Sequence, residues 1–378
     1  MISPICTKCV LVISVFFVLF DGASTGAILD VTNNRTGKFW GVGVVRFENG
    51  ICHATDGLVG TCYTRRQCRR SDGVGSASCA SGIGVCCIIQ RTCGESSSLN
   101  NTYFVSPGFP NTFTDSSSCT LTIQRCNSDI CQVRIDFLTL NLAQPDANGT
   151  CVTDALYVIG GASAVPVICG ENSGQHIYVD FNGDTPIQIV IATGALATLG
   201  RSWNIKVAQI GCDCPWRAPS GCLQFHTALS GTIKSFNYGT ATGLASTRQL
   251  VNENYGVCID MQAGYCGIQY SAGTGQYSFT VSNDTNSAIS QGTIGTIDGE
   301  VFGANCTTDF VVIPHPVLSN GTALDTDRFC GNGFATVYTQ SKPFVLTVVT
   351  NGNEVNETSN RGFCLNYKQL RCAGINLG

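Results

Sequence analysis

The side chains best suited to acid–base work near neutral pH are four histidines, His53, His176, His226 and His315. A nucleophilic site would need one of them beside an activated serine and a carboxylate. None lies in an Ala-Ala-His-Cys segment, and no Gly-Asp-Ser-Gly-Gly segment occurs. Ser173, in Glu171-Asn172-Ser173-Gly174, sits in a loop without the strained turn that presents a nucleophile. These residues predict a chain that is not an enzyme. A second cluster is basic: Arg65, Arg66, Arg69 and Arg70 flank Cys68. It could meet an anionic glycan or lipid headgroup, or be cut as a dibasic site; the plainer expectation is a solvated loop. A third pattern is an aspartate three residues after a cysteine, in Cys151-Val152-Thr153-Asp154 and again in Cys306-Thr307-Thr308-Asp309. Each is followed by an alternating apolar run and a Cys-Gly pair, Cys169-Gly170 and Cys330-Gly331.

The elements that hold these residues are predicted to be strands. The chain has 378 residues, enough for two or three domains. Charged residues make up only 12%, Met is nearly absent and β-branched residues abound, which points to an all-β fold. A net charge of −4 gives no reason to expect a nucleic-acid partner. The 23 cysteines are normal only in an oxidising compartment. Lys8, the apolar run from Val10 to Phe20 and the small residues Gly22, Ala23 and Ser24 predict a signal peptide over 1–23, which removes Cys6 and Cys9. No later segment has the length and apolarity of a membrane span. Seven sequons, at Asn34, Asn100, Asn148, Asn283, Asn305, Asn320 and Asn356, fit a secreted glycoprotein.

Residues 24–50 form an N-terminal segment with one candidate strand from Val42 to Phe47. Residues 51–92 are a small module whose six cysteines, at 52, 62, 68, 79, 86 and 87, must supply most of its stability. Zinc is the alternative use of those thiols, but there is no paired Cys-x-x-Cys and His53 is the only nearby imidazole. Residues 93–212 read as a β-sandwich. Val133, Ile135 and Phe137 alternate with polar residues, as do Trp203, Ile205 and Val207, and Ile187 to Ile191 reads as a central strand. After a linker at 213–221, residues 222–378 repeat the pattern. Arg201 to Cys212 matches Arg361 to Cys372, with Phe363, Leu365 and Tyr367 in the inward places, and the segment from Cys131 matches that from Cys266.

The two halves resemble CUB domains, an extracellular β-sandwich module of jelly-roll type. The first carries the four-cysteine frame Cys93, Cys119, Cys151 and Cys169, an early segment Ser106-Pro107-Gly108-Phe109-Pro110, and the Cys169-Gly170 signature. The small module, ending in Gly84-Val85-Cys86-Cys87, resembles a clip domain, and the whole order is similar to insect secreted CUB-domain proteins. The clip resemblance implies bridges Cys52–Cys86, Cys62–Cys79 and Cys68–Cys87. The CUB resemblance implies Cys93–Cys119 and Cys151–Cys169. For the rest, short loop closures favour Cys126–Cys131, Cys212–Cys222, Cys258–Cys266, Cys306–Cys330 and Cys364–Cys372. Cys214 is then left unpaired, to displace Cys212 or to bridge to another chain.

Many CUB domains hold calcium through acidic residues around the third cysteine and a later strand end. The resemblance places Asp154 and Asp309 at the middle ligand position. The first copy offers only Asp146 as a further carboxylate, and the second offers Asp284, Asn351 and Glu354. Local backbone capping by each Asp is the competing expectation. No other cofactor is expected. The sequence therefore predicts two disulfide-stapled antiparallel β-sandwiches behind a cysteine-rich module, secreted and binding an extracellular protein or glycan. The alternative is a non-catalytic regulator in a clip-protease cascade.

Overall fold

A computed structural model describes residues 47, 49–195, 200–239, 248–354, 357 and 359–372. The predicted leader, Asn34, Asn356 and all but Phe47 of the strand expected from Val42 lie outside the described residues. The chain divides after Ile89 into two compact units.

In the first unit, Val59–Tyr63 lies between Ile51–His53 and Gly84–Arg91, and Val74–Cys79 pairs with the other edge of Gly84–Arg91. Cys86 and Cys87 are adjacent on an extended strand, so their side chains leave opposite faces. They bond Cys52 and Cys68 respectively, and Cys62 bonds Cys79. The arginine-rich stretch is a helix, Arg65–Arg70, rather than a loop. Thr64 caps it by accepting the Gln67 N–H, while the Gln67 side chain accepts the Thr64 N–H.

The second unit holds both sandwiches. In the first, Thr102–Val105, Ser202–Gly211, Ile130–Asn141 and His176–Asp180 form one sheet in that order. Ser96–Ser97, Ser117–Ile123, Ile187–Thr193 and Asp154–Ile159 form the other. Ile187–Thr193 is central as expected, and Trp203, Ile205, Val207, Val133, Ile135 and Phe137 are buried. In the second sandwich, Cys222–His226, Asn254–Ile259, Phe344–Val349, Phe310–Val312, Arg328–Gly331 and Glu300–Phe302 make one sheet. Ser230–Lys234, Gly362–Arg371, Tyr265–Ala272, Val337–Thr339 and Val317–Leu318 make the other, with Phe363, Leu365 and Tyr367 inward. The sheets are not wholly antiparallel. The opening strand of each copy, Ser96–Ser97 or Cys222–His226, runs parallel to its neighbour.

Six of the expected bridges are present, including Cys93–Cys119, Cys151–Cys169 and Cys306–Cys330. Four are not. Cys131 bonds Cys212 rather than Cys126, and Cys266 bonds Cys372 rather than Cys258. Cys222 bonds Cys258 rather than Cys212. Each copy thus carries the same bridge between two neighbouring antiparallel strands, where Ile130 pairs Gly211 and Tyr265 pairs Arg371. Cys258 and Cys266 stand in opposite sheets. Cys364 lies near the start of strand Gly362–Arg371 and Cys372 just past its end, about 26 Å away at the strand's rise per residue and far beyond disulfide reach. Cys126 and Cys214 are both disulfide-bonded, so Cys214 is not the odd cysteine. Cys364, half-buried, is the free thiol among the described residues.

The segment expected as a linker is pinned to the first sandwich. The Ala218 N–H donates to Gln132 Oε1, Gln132 Nε2 donates to the Ala218 carbonyl, and Arg217 pairs with Asp180. The two sandwiches meet across a polar seam. Asn237, fully buried, donates its N–H to Asn172 Oδ1 at 2.7 Å and its amide to Gln144 Oε1 at 2.8 Å, and accepts the Glu171 N–H. Gly170 makes this possible: a Cβ there would lie 1.9 Å from Asn237 Oδ1. His176 and His226 meet in the same seam with ring centroids 4.9 Å apart. Burial and the Arg134 charge press them down to about 3 and about 4, so both are neutral at physiological pH.

Replacing Cys266 and Cys372 together by alanine opens a loop with a sequence separation of 106. The chain-entropy relation predicts a loss of about 4–5 kcal/mol, read from the urea midpoint. An unchanged midpoint contradicts this pairing.

Candidate functional site

The repeated Cys-x-x-Asp corners place their aspartates alike and surround them differently. Asp154 opens strand Asp154–Ile159 opposite Thr193. Its Oδ1 accepts the Gly194 N–H at 3.1 Å, and its Oδ2 accepts the Ala143 N–H at 2.7 Å. Oδ2 also accepts Arg201 Nε at 2.7 Å, and both side chains are fully buried. The rest of the guanidinium is spent on the Thr114 and Gly194 carbonyls. An arginine therefore stands where a calcium ligand set would need its cation. The expectation of Asp154 as a calcium ligand is replaced by an internal ion pair. Asp146 accepts the Asn148 and Thr150 N–H groups and closes its own loop.

Asp309 precedes Phe310–Val312, and its Oδ1 accepts the Asn351 N–H at 2.7 Å, the counterpart of the Gly194 contact. Its Oδ2 is buried without a partner. Arg361, which aligns with Arg201, lies over the Tyr277 ring at 4.2 Å instead. The loop from Asn351 to Arg361 is longer than that from Gly194 to Arg201 and carries Glu354 and Glu357. One carboxylate oxygen from each of Asp309, Glu354 and Glu357 falls within 4.8 Å of the others. Glu354 Oε1 accepts Gln249 Nε2, and Glu357 Oε1 accepts the Thr308 hydroxyl. Burial and the neighbouring Glu357 and Glu354 carboxyls raise Asp309 to about 9. Burial raises Glu354 to about 7. Two buried carboxylates crowded together, with a third beside them, hold protons or a cation. The hard oxygen donors and the orphaned Asp309 Oδ2 fit a divalent cation such as calcium, with water completing the shell.

Two of the expected ligands stand elsewhere. Asp284 caps helix Thr285–Gln291, accepting the Asn286 N–H and the Ser287 hydroxyl. Asn351 turns its side chain to the Asn353 N–H and gives the corner only its backbone. Both make the local backbone bonds that Asp and Asn favour at turns and caps. Glu357 was not anticipated; the signal was the longer acidic loop before Arg361.

The remaining candidates are dispersed. Ser173 Oγ accepts the Leu140 N–H, His176 bonds the Phe225 carbonyl, and exposed His315 bonds Ser341. Asn100 is buried with its Oδ1 accepting the Gln209 N–H, which leaves a glycan no room; Asn148, Asn283, Asn305 and Asn320 are exposed. The four arginines of Arg65–Arg70 are exposed. No helix of the described residues is long and apolar enough to cross a membrane.

Residues 93–196 match the family profile described as CUB domain, and 219–370 match that described as Animal CUB domain. The chain carries two CUB domains. Among solved structures it is similar to the CUB1-EGF-CUB2 domains of rat MASP-1, at 15% identity and a TM-score of 0.25, covering 72% of this chain and 99% of that one. It is similar to the MASP-1 CUB2 domain bound to Ca2+ at 21% identity and a TM-score of 0.25, covering 31% and 98%. The extracellular region of zebrafish Gpr126/Adgrg6 matches at 12% identity and a TM-score of 0.26, covering 76% and 37%. No curated protein matches by sequence. The second CUB domain holds the acidic cluster; the first holds the ion pair.

Arg201→Met leaves the Asp154 carboxylate buried and unpaired, with an expected loss of about 3–5 kcal/mol in denaturant unfolding. Adding Asp154→Asn to that variant recovers part of it. For the acidic cluster, raised carboxyl pKa values mean that the folded state binds protons the unfolded chain releases. That contribution is full below about pH 4 and is lost as pH climbs through about 7 and about 9. In chelator the melting temperature should fall from pH 5 to pH 9, calcium should restore it most at the alkaline end, and Asp309→Asn should flatten both trends. Unaltered trends in Asp309→Asn would remove the cluster as their source.

Proposed function

We propose that the chain is a secreted extracellular recognition protein that works without catalysis, its CUB domains binding a protein or a glycan. The observation that carries this reading is the cluster of Asp309, Glu354 and Glu357 at a loop end of the second CUB domain. A divalent cation held there by the three carboxylates would fix the loop that follows Asn351 and preorganise the surface around it. The disulfide framework supports an oxidising, extracellular setting. A second reading, regulation within a clip-protease cascade, draws support from the small module, whose bridges Cys52–Cys86, Cys62–Cys79 and Cys68–Cys87 are those a clip domain implies.

Binding of the intact chain to arrayed extracellular proteins and glycans, in calcium and in chelator, tests the first reading. A partner should be captured at least about tenfold more weakly in chelator and by Asp309→Asn, as expected when a preorganised loop is released. Equal capture in all three conditions would remove the cation from the reading. Peptide hydrolysis abolished by a serine-directed reagent would overturn the non-catalytic assignment.

A further inference from the structure

We infer that the exposed face of helix Arg65–Arg70 is a docking surface for a sulfated polysaccharide. Helical spacing sets Arg65 beside Arg69 and Arg66 beside Arg70, so four guanidinium groups share six residues. As part of the fold this arrangement is unfavourable. Like charges four apart repel, and Arg65 and Arg66 sit in the first turn, where the helix dipole favours anions and no acidic residue is present. Arg69 and Arg70 suit the last turn, but none of the four makes an ion pair among the described residues. The fold therefore leaves all four charges unused.

The helix is also rigid. Its start is fixed by the reciprocal Thr64–Gln67 hydrogen bonds, and buried Cys68 anchors it to Cys87. A cleft of about 280 Å³ opens beside it, lined by Arg65, Arg69, Gly73, Gly75, Ser76 and Val85, two of which have no side chain. Preorganised guanidinium forks beside an open cleft suit planar-edged, doubly accepting oxyanions such as sulfate esters. The net charge of −4 makes the attraction local, because the rest of the chain repels a polyanion.

The compartment selects the ligand. Disulfide-stapled modules work on the oxidising side of the membrane, whereas the negative surface potential of anionic lipids belongs to the cytoplasmic leaflet. Cleavage at the dibasic pairs is disfavoured because both pairs are wound into the helix on either side of a bridged cysteine.

Retention of the intact chain on immobilised heparin tests the assignment, with chemically desulfated heparin and phosphatidylserine vesicles as comparisons. The chain should elute above physiological ionic strength, and the variant with Arg65, Arg66, Arg69 and Arg70 all changed to Gln should elute below it. A milder Arg65→Gln, Arg66→Gln pair should bind about tenfold more weakly with an unchanged or higher melting temperature, since it removes charges that oppose the helix dipole. Equal retention of the pair variant and the parent, equal retention on desulfated heparin, or tighter binding to the vesicles would overturn the assignment.

Discussion

Burying a carboxylate costs several kcal/mol unless a charge or several hydrogen bonds go with it, and each CUB domain builds a corner around such a group. Asp154 opens a strand and Asp309 immediately precedes one, and both take a backbone N–H from the next loop, that of Gly194 or of Asn351. The difference follows from the length of that loop. The shorter one returns Arg201 to the corner, where its guanidinium neutralises Asp154 and ties three segments together through the Thr114 and Gly194 carbonyls. The longer one delivers Glu354 and Glu357, while Arg361 goes to Tyr277. One corner is complete within the protein. The other needs protons or a cation.

The division of labour extends to the seam between the domains. The loop beside the first corner is occupied by its neighbour: Gly170 receives Asn237, and the Val251 N–H donates to the Gly149 carbonyl. A side chain at Gly149 would meet Glu354. The first domain therefore spends its Cys-Gly loop on docking, which requires a glycine for close approach, and the second carries the cluster of Asp309, Glu354 and Glu357. With Arg217 and Ala218 bound to the first sandwich, the connecting segment is ordered and the two domains share one compact unit.

The disulfides follow strand neighbours rather than sequence neighbours. Loop-closure entropy favours short rings in the unfolded chain, but a bridge forms in the native state only where Cα atoms already lie within about 7 Å. Antiparallel pairing brings Cys131 to Cys212 and Cys266 to Cys372, although long stretches of chain separate them. The same pairing separates Cys364 from Cys372 by the length of a strand and leaves Cys364 without a bridge.

The sequence by itself determined the architecture. Alternation at Val133–Ile135–Phe137 and Trp203–Ile205–Val207 set the inward faces, because a strand side chain reverses direction at every residue. The duplication was equally legible, and aligning Cys131 with Cys266 and Cys212 with Cys372 already paired the positions of the bridge that both copies share. Tertiary structure alone decided the rest. Whether an aspartate caps its own turn, as Asp284 does, or faces other carboxylates, as Asp309 does, depends on loops distant in sequence. Whether an arginine returns to its aspartate, as Arg201 does, depends on how many residues the preceding loop must accommodate. Those are distances across the fold, and local residue types do not encode them.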